Sequence, residues 1–185
     1  MLALLWLVHW LPLGVQAAIG RGLGALLLRL ARARREVAER NLALCFPDKS
    51  EAERSALLHE HFGWLGRSFV ERGLLWYGRP ARLARLIHVE GDPTLAETSE
   101  RPVMWLVPHF MGLDVAGVAT QLFQKRMAAS IYQTQSNAVF DAAMRAGRLR
   151  FGRAEIFARS ESAKPLIRAI RQGHAFFNLP DMDFG

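Results

Sequence analysis

The sequence predicts an α/β fold in which a mostly parallel β-sheet is flanked by helices and preceded by a membrane-anchoring helix. From residue 103 onward, short apolar runs of strand length alternate with helical patterns. Such alternation favours parallel strands joined by crossover helices. The first 20 residues contain no Asp, Glu, Lys or Arg, and about 20 apolar residues suffice to cross a bilayer core.

The amino-terminal segment, residues 1–30, is predicted to be a membrane anchor. A cleaved secretory signal normally carries positive charge before its apolar stretch, whereas here the positive charge follows it. Arginines after a span also place the rest of the chain on the cytoplasmic side and favour anionic headgroups. These arginines are Arg21, Arg29, Arg32, Arg34, Arg35 and Arg40. Pro12 and Gly14 weaken a straight span, so a monotopic helix lying in the interface stays open.

Composition restricts the partners and the compartment. Lys and Arg number 24 against 17 Asp and Glu, which gives a net charge of +7. Such a chain suits anionic lipid, phosphate or nucleic acid. Nucleic acid is disfavoured, because the sequence has neither an aromatic-plus-basic RNA motif nor a zinc-finger spacing. Cys45 is the single cysteine, which excludes an intrachain disulfide and fits a reducing, cytoplasm-facing location.

Two helices are expected between the anchor and the sheet. The first is rich in arginine and ends at Pro47-Asp48. Ser50 and Glu53 form a capping box for the second, whose apolar residues recur at helical spacing through about Arg72. The segment 79–101 is polar and rich in turn-forming residues, with Gly91-Asp92-Pro93 as a breaker, and leads into the first strand of the sheet.

The predicted sheet begins with Val103–Val107, a wholly apolar run that indicates a strand buried on both faces. Residues 31–185 are expected to form one domain around it. The further expected elements are helix 113–124, strand Ala128–Tyr132, helix Asn137–Ala146, a loop at 147–150, strand Glu155–Ala158, helix Ser160–Gln172 ended by Gly173, and strand His174–Leu179.

Polar residues follow the first and the last predicted strands. His109 lies two residues after Val107, Asp114 opens the next helix, and Asp181 follows the last strand. The carboxyl ends of parallel strands meet at one edge, so His109 and Asp181 should share it. A carboxylate bonded to an imidazole fixes its tautomer, and the other ring nitrogen can then take a proton from a hydroxyl. We expect Asp114 to supply this carboxylate, although an isolated His-x-x-x-x-Asp also arises without any chemistry.

Four segments of the chain occur in a recognisable order. They are Asn-Leu-Ala-Leu-Cys-Phe-Pro at 41–47, His-x-x-x-x-Asp at 109–114, Gly-Arg-Leu-Arg at 147–150 and Pro-Asp-Met-Asp-Phe-Gly at 180–185. Together they resemble, over essentially the whole chain, the bacterial lipid A biosynthesis acyltransferases. The resemblance implies a glycerolphosphate-acyltransferase-like fold in an inner-membrane enzyme whose catalytic part faces the cytoplasm. It further implies an acyl-acyl carrier protein donor, a hydroxyacyl group of Kdo-lipid IVA as acceptor, and no cofactor or metal.

By position, the resemblance makes His109 the catalytic histidine and Asp114 its acidic partner, a place that many members fill with Glu. Arg148 matches an important family arginine, and Asp181 matches the first acid of the Pro-Asp-x-Asp-x-Gly motif. Chemically, Arg148 suits either the oxyanion of a tetrahedral intermediate or a phosphate group, and Asp181 suits positioning of Arg148 or of the acceptor. Family members continue past this motif, so we expect the acyltransferase domain at 31–185 to lack a carboxyl-terminal part.

Two other interpretations stay open. Asp181-Met182-Asp183 matches the pattern with which many nucleotide-sugar glycosyltransferases hold a divalent metal, but this would leave the histidine motif and the anchor unexplained. Acyl transfer to another phospholipid or glycolipid would use the same His109 and Asp114. A non-enzymatic membrane scaffold is disfavoured, because it would not require a histidine and acids at strand ends.

Overall fold

The computed structural model describes residues 1–181, and the chain divides into two compact units. The first unit, Ala3–Leu74, is built from helices, and the second, from Leu75 onward, contains the sheet. Met182 and Asp183, which complete the predicted acidic motif, lie outside the described residues.

The first unit begins with two helices where one apolar run was predicted. The run is broken at residues 9–12, because Pro12 has no N–H to continue a helix and instead caps the next one. The Ser50–Glu53 capping box is confirmed, since the Ser50 main-chain N–H donates to Glu53 Oε2 over 2.8 Å. The helices are α1 (Leu2–Val8), α2 (Leu13–Leu30), α3 (Arg32–Cys45) and α4 (Glu51–Tyr77), the last of which continues past the predicted end at Arg72.

Glycines bring α2 into backbone contact with α4. A Cβ atom on Gly24 would lie 2.1 Å from the carbonyl oxygen of Phe62, and one on Gly66 would lie 2.1 Å from that of Gly20. Small residues of this kind allow two helix backbones to approach closely. Leu28, Leu58 and Phe62 form a buried cluster beside this crossing.

The second unit confirms the predicted α/β architecture. Its four strands are parallel and lie in the order β1-β4-β2-β3, with helices packed against the sheet. The predicted strand Ala128–Tyr132 is found with the same bounds. The elements are α5 (Pro80–Leu86), β1 (Met104–Leu106), α6 (Leu113–Phe123), β2 (Ala128–Tyr132), α7 (Ala138–Leu149), β3 (Ala154–Ala158), α8 (Lys164–Arg171) and β4 (Ala175–Asn178).

The strand register shows which side chains share a face of the sheet. Met104 pairs with Phe176, and Phe176 pairs with Ala129, so these three point to the same side. Helix α8 covers this side at β2, where Leu166 and Ala169 pack on Ala129. Helix α6 lies on the opposite side, where it borders a cavity together with Trp105 and Phe177.

Two sequence predictions in this unit were wrong. β1 is not buried on both faces: Met104 and Leu106 are 55% and 69% exposed, because β1 is an edge strand and α8 packs over β2. Residues 147–149, which were predicted to belong to a loop, instead complete α7. Gly147 does not end the helix; its missing side chain makes room for the indole ring of Trp76. The polar segment 79–101 begins with a short helix that was not predicted, α5, which starts at Pro80, a residue favoured at the first helical position.

Arg126 ties the segment before β1 to the start of β4, a role that the sequence analysis missed. Its Nε donates to the carbonyl oxygen of Gly173 over 2.6 Å, and its Nη1 donates to that of Ser99 over 3.0 Å. Nη2 donates to the carbonyl oxygen of Arg101 over 3.2 Å. The guanidinium therefore fixes the entry of β1 relative to its neighbouring strand.

The α2–α4 crossing predicts opposite effects for two glycines of the same helix. Gly24→Ala should lower the stability of the folded protein by about 1–3 kcal/mol, because its Cβ has no room against the α4 backbone. Gly22→Ala should be neutral or stabilising by up to about 1 kcal/mol, because nothing lies within 4 Å of its Cβ and alanine favours a helix. Chemical unfolding in detergent micelles, followed by circular dichroism, measures both. Equal effects would contradict the crossing.

Candidate active site

His109 is placed by the end of β1. The Val107 N–H still bonds to the carbonyl oxygen of Asn178 over 2.8 Å, so the two strands remain paired one residue past β1. Pro108 has no N–H with which to continue the ladder. His109 is therefore the first polar side chain that the chain presents at the carboxyl edge of the sheet.

Asp181 holds His109 through two hydrogen bonds. The main-chain N–H of His109 donates to Oδ2 over 2.6 Å, and the imidazole Nδ1 lies 2.9 Å from Oδ1. The two residues meet because β1 and β4 are neighbouring parallel strands that end at the same edge. The prediction that His109 and Asp181 share one edge is confirmed.

The hydrogen bond between Asp181 and His109 determines which ring nitrogen carries the hydrogen. The hydrogen bond from the imidazole, and next that from the main-chain N–H, hold the pKa of Asp181 below its usual range. An ionised carboxylate only accepts, so Nδ1 must carry a hydrogen and the Nε2 of the neutral ring keeps its lone pair. The side chains of His109 and Asp181 are 39% and 37% exposed, so the ring can be reached by a substrate.

Asp114 forms a pair with Arg148. Its Oδ1 accepts hydrogen bonds from Nε and Nη2 of Arg148, over 3.1 and 2.9 Å. Asp114 belongs to the first turn of α6 and Arg148 to the last turn of α7, and both side chains are partly buried. Asp181 thus makes with His109 the kind of hydrogen bond that was expected of Asp114, and Asp114 holds the guanidinium that Asp181 was expected to position.

Gln121 supports Arg148 from α6 and was not identified from the sequence. The side chain is buried, and its Nε2 donates to the main-chain carbonyl oxygens of Arg148, over 2.7 Å, and Gly117, over 3.2 Å. The sequence pattern does not predict this contact, because a single glutamine among apolar helix residues does not indicate which group it will bind. Gln121 therefore fixes the backbone on which Arg148 is carried, while Asp114 fixes its side chain.

The other arginines near Gly-Arg-Leu-Arg bind main-chain oxygens. Arg150 donates to the carbonyls of Leu75 and Gly78, over 2.8 and 2.5 Å, and its burial lowers the pKa of the guanidinium. Arg153 donates to the carbonyl of Gln124 over 2.9 Å. These contacts assign the two residues a structural role, whereas the guanidinium of Arg148 is directed to a carboxylate.

A cavity of about 240 Å³ lies beside β1. Its walls are mainly apolar and include Trp105, Val107, Ala116 and Phe177. Val107 is two residues from His109, so the cavity begins close in sequence to the candidate base. Among residues 1–181, no three His, Cys, Asp or Glu side chains converge as a metal site.

The chain matches the family model of the bacterial lipid A biosynthesis acyltransferases over residues 1–185. It is 33% identical over 186 residues to the lipid A biosynthesis palmitoleoyltransferase of Escherichia coli K12, and 31% identical over 186 residues to the lauroyltransferase. Both matches cover 100% of this chain and 60% of the relative. With the myristoyltransferase of the same organism the identity is 33% over 173 residues, covering 92% of this chain and 52% of that protein.

The match to the family model extends over all of the sequence, including the segments that carry His109, Asp114, Arg148 and Asp181. The chain spans 52% to 60% of the length of these three relatives. It belongs to the bacterial lipid A biosynthesis acyltransferase family.

Proposed function

We propose that this protein transfers a fatty acyl chain from acyl-acyl carrier protein to a hydroxyl group of a lipid A precursor, Kdo-lipid IVA. The observation that carries the proposal is the His109–Asp181 pair at the carboxyl edge of a parallel sheet, in a member of this family. The relatives are named for palmitoleoyl, lauroyl and myristoyl transfer. The proposal includes the glycerolphosphate-acyltransferase-like fold that the sequence motifs imply.

His109 acts as the general base in the proposed reaction. Nε2 removes the proton of the acceptor hydroxyl while its oxygen attacks the carbonyl carbon of the thioester. The tetrahedral intermediate then collapses, the C–S bond breaks, and the imidazolium returns the proton to the carrier thiolate. Asp181 stabilises the imidazolium and keeps the ring in the required tautomer. A positioned base of this kind contributes typically about 100- to 10,000-fold.

Arg148 is proposed to contact the substrate. Its Nε and Nη2 are occupied by Asp114, whereas Nη1 takes no part in that pair. A donor aimed at the oxyanion contributes about 3 kcal/mol, and a guanidinium is equally suited to a phosphate of the acceptor. Asp114 acts through Arg148, because it holds the guanidinium in one orientation.

The proposed location is the bacterial inner membrane, with the catalytic part facing the cytoplasm. Helix α2 is apolar, and Arg21 and Arg29 on it, together with the arginines of α3, can meet anionic headgroups at a membrane surface. Cys45 is free and exposed, which suits a reducing compartment. The cavity beside β1 is proposed to receive part of the acyl chain, because its walls are mainly apolar.

His109→Ala should lower kcat by about 100- to 10,000-fold, because it removes the base. Transfer of a labelled acyl group from carrier protein to Kdo-lipid IVA measures it, and circular dichroism checks folding. His59→Ala is the matched control, since His59 is an exposed histidine on α4. Normal turnover by correctly folded His109→Ala would overturn the mechanism.

Asp181→Asn should also lower kcat, because an amide stabilises the imidazolium less well than a carboxylate. The lowered pKa keeps this carboxylate ionised from neutral pH down to below about 4, so its pairing with His109 is lost only under stronger acid. A pH–rate profile of the unmodified protein should therefore show no protonation of Asp181 above about pH 4. An Asp181→Asn variant that is correctly folded and keeps the kcat of the unmodified protein would contradict this assignment.

Asp114 and Arg148 should behave as one unit in a double-mutant cycle. Arg148→Ala should lower kcat/KM by about 100-fold or more, and adding Asp114→Ala to it should cost little further. Arg168→Ala, at an exposed position on α8, serves as the control. If Asp114 instead served His109, the loss from Asp114→Ala would persist in the Arg148→Ala background and disappear in the His109→Ala background.

Acyl transfer should continue in excess chelator, because a histidine base needs no metal. Both oxygens of Asp181 already accept hydrogen bonds from His109, which supports a role beside the base and not as a metal ligand. An absolute requirement for Mg²⁺ or Mn²⁺, together with consumption of a nucleotide sugar, would favour the glycosyltransferase interpretation. Stimulation alone would not, because divalent cations also change how anionic lipids pack.

A further inference from the structure

Helices α1 and α2 present an exposed apolar face. On α2 this face is formed by Val15, Ile19, Leu26 and Leu30, which are separated by four, seven and four residues, the spacing of one side of a helix. On α1 and the turn after it, Trp6 and Trp10 are 48% and 59% exposed, and their rings meet edge to face. We call these six residues the apolar face.

The other side of α1 and α2 is packed along α4. Leu5 lies against Gly73, Gly20 lies against Arg67, and Gly24 lies against Phe62. Leu28 reaches Leu58 in the buried cluster farther along the same helix. The contacts run antiparallel, so α1 and α2 together follow α4 from residue 73 to residue 58, which is about 22 Å of helix.

This stretch of α4 is too polar to enter a bilayer. It carries Glu60, Arg67, Glu71 and Arg72, and Arg67 forms an ion pair with Glu71 at 2.9 Å. Among the described residues, α2 is the single helix with the length and hydropathy of a span. If α2 crossed the membrane while packed in this way, the charges of α4 would lie in the hydrocarbon, where ionised side chains are strongly disfavoured.

We propose that α1 and α2 do not span the membrane but lie in the plane of one leaflet, with the apolar face inserted among the lipids and α4 above it. The partner is therefore the surface of an anionic bilayer. Charge complementarity supports this partner, because Arg21, Arg29, Arg34 and Arg40 are exposed on α2 and α3. The two tryptophans suit the headgroup depth, where amphipathic rings are enriched.

The number of polar labels per molecule distinguishes the two topologies. A cysteine is added on a short Gly-Ser extension before Met1, and the exposed Cys45, after α2, is the second site. The protein is placed in sealed vesicles of phosphatidylethanolamine and phosphatidylglycerol and treated with a membrane-impermeant maleimide mass tag. An in-plane helix has both sites on one side, so each reachable molecule should take two tags before detergent is added.

A transmembrane helix has the two sites on opposite sides. Each molecule would then take one tag in intact vesicles, whatever its orientation, and the second only after the vesicles are opened. That result would overturn the proposal. Cys45→Ser, which leaves one site, calibrates the single-tag product.

The apolar face is tested separately by vesicle sedimentation. Ile19→Glu should lower partition into the same vesicles by about tenfold or more, because the substitution places a charge among lipids. Ala25→Glu is the matched control, since Ala25 is exposed on the same helix but off the apolar face. Equal losses in the two variants would overturn the assignment of this face. Because neither experiment measures acyl transfer, the topology can fail while the proposed function stands.

Discussion

The pairing of β1 with β4 is the constraint on which the candidate site depends. Three register pairs, from Met104↔Phe176 to Leu106↔Asn178, and the bond from Val107 to Asn178 align two strands whose residues lie 72 positions apart. A slip of one residue would move His109 by about 3.3 Å along the strand, which exceeds the tolerance of a hydrogen bond. Arg126 protects this register, because it binds main-chain oxygens before both strands.

The register gives each charged group at the site its own carboxylate. Asp181 is the acid of the imidazole, and the hydrogen bond from His109 lowers the pKa of its carboxyl group. The guanidinium of Arg148 is charged throughout, and its acid, Asp114, is the less exposed of the two carboxylates. With two separate pairs, the proposed base His109 can gain or lose a proton while Arg148 stays bound to its own carboxylate. If both groups shared one acid, the two events would be coupled.

Local sequence patterns predicted most elements of the sheet but not its strand order. The bounds of β2 and the Gly173 stop follow from apolar runs and turn chemistry. Nothing local shows that β4 lies between β1 and β2, because strand order depends on the packing of the whole domain. Asp114 and Asp181 both follow strands at the same edge, so the sequence identified both acids. It assigned Asp114 to His109 because the two are close in sequence, whereas the hydrogen bond between His109 and Asp181 depends on the strand order. Gly147 was misread for a related reason: its neighbour, Trp76, is distant in sequence.

The amino-terminal helices show the same limit for membrane topology. Length and hydropathy describe α2 as an isolated helix, and by that measure it qualifies as a span. A helix enters a bilayer together with the segments that are packed against it. The close contacts of Gly20 and Gly24 pack α2 against α4. Separating the two helices would expose the backbone beside these glycines to lipid. Gly20 and Gly24 therefore hold α2 against a helix whose charged residues are strongly disfavoured in the hydrocarbon core.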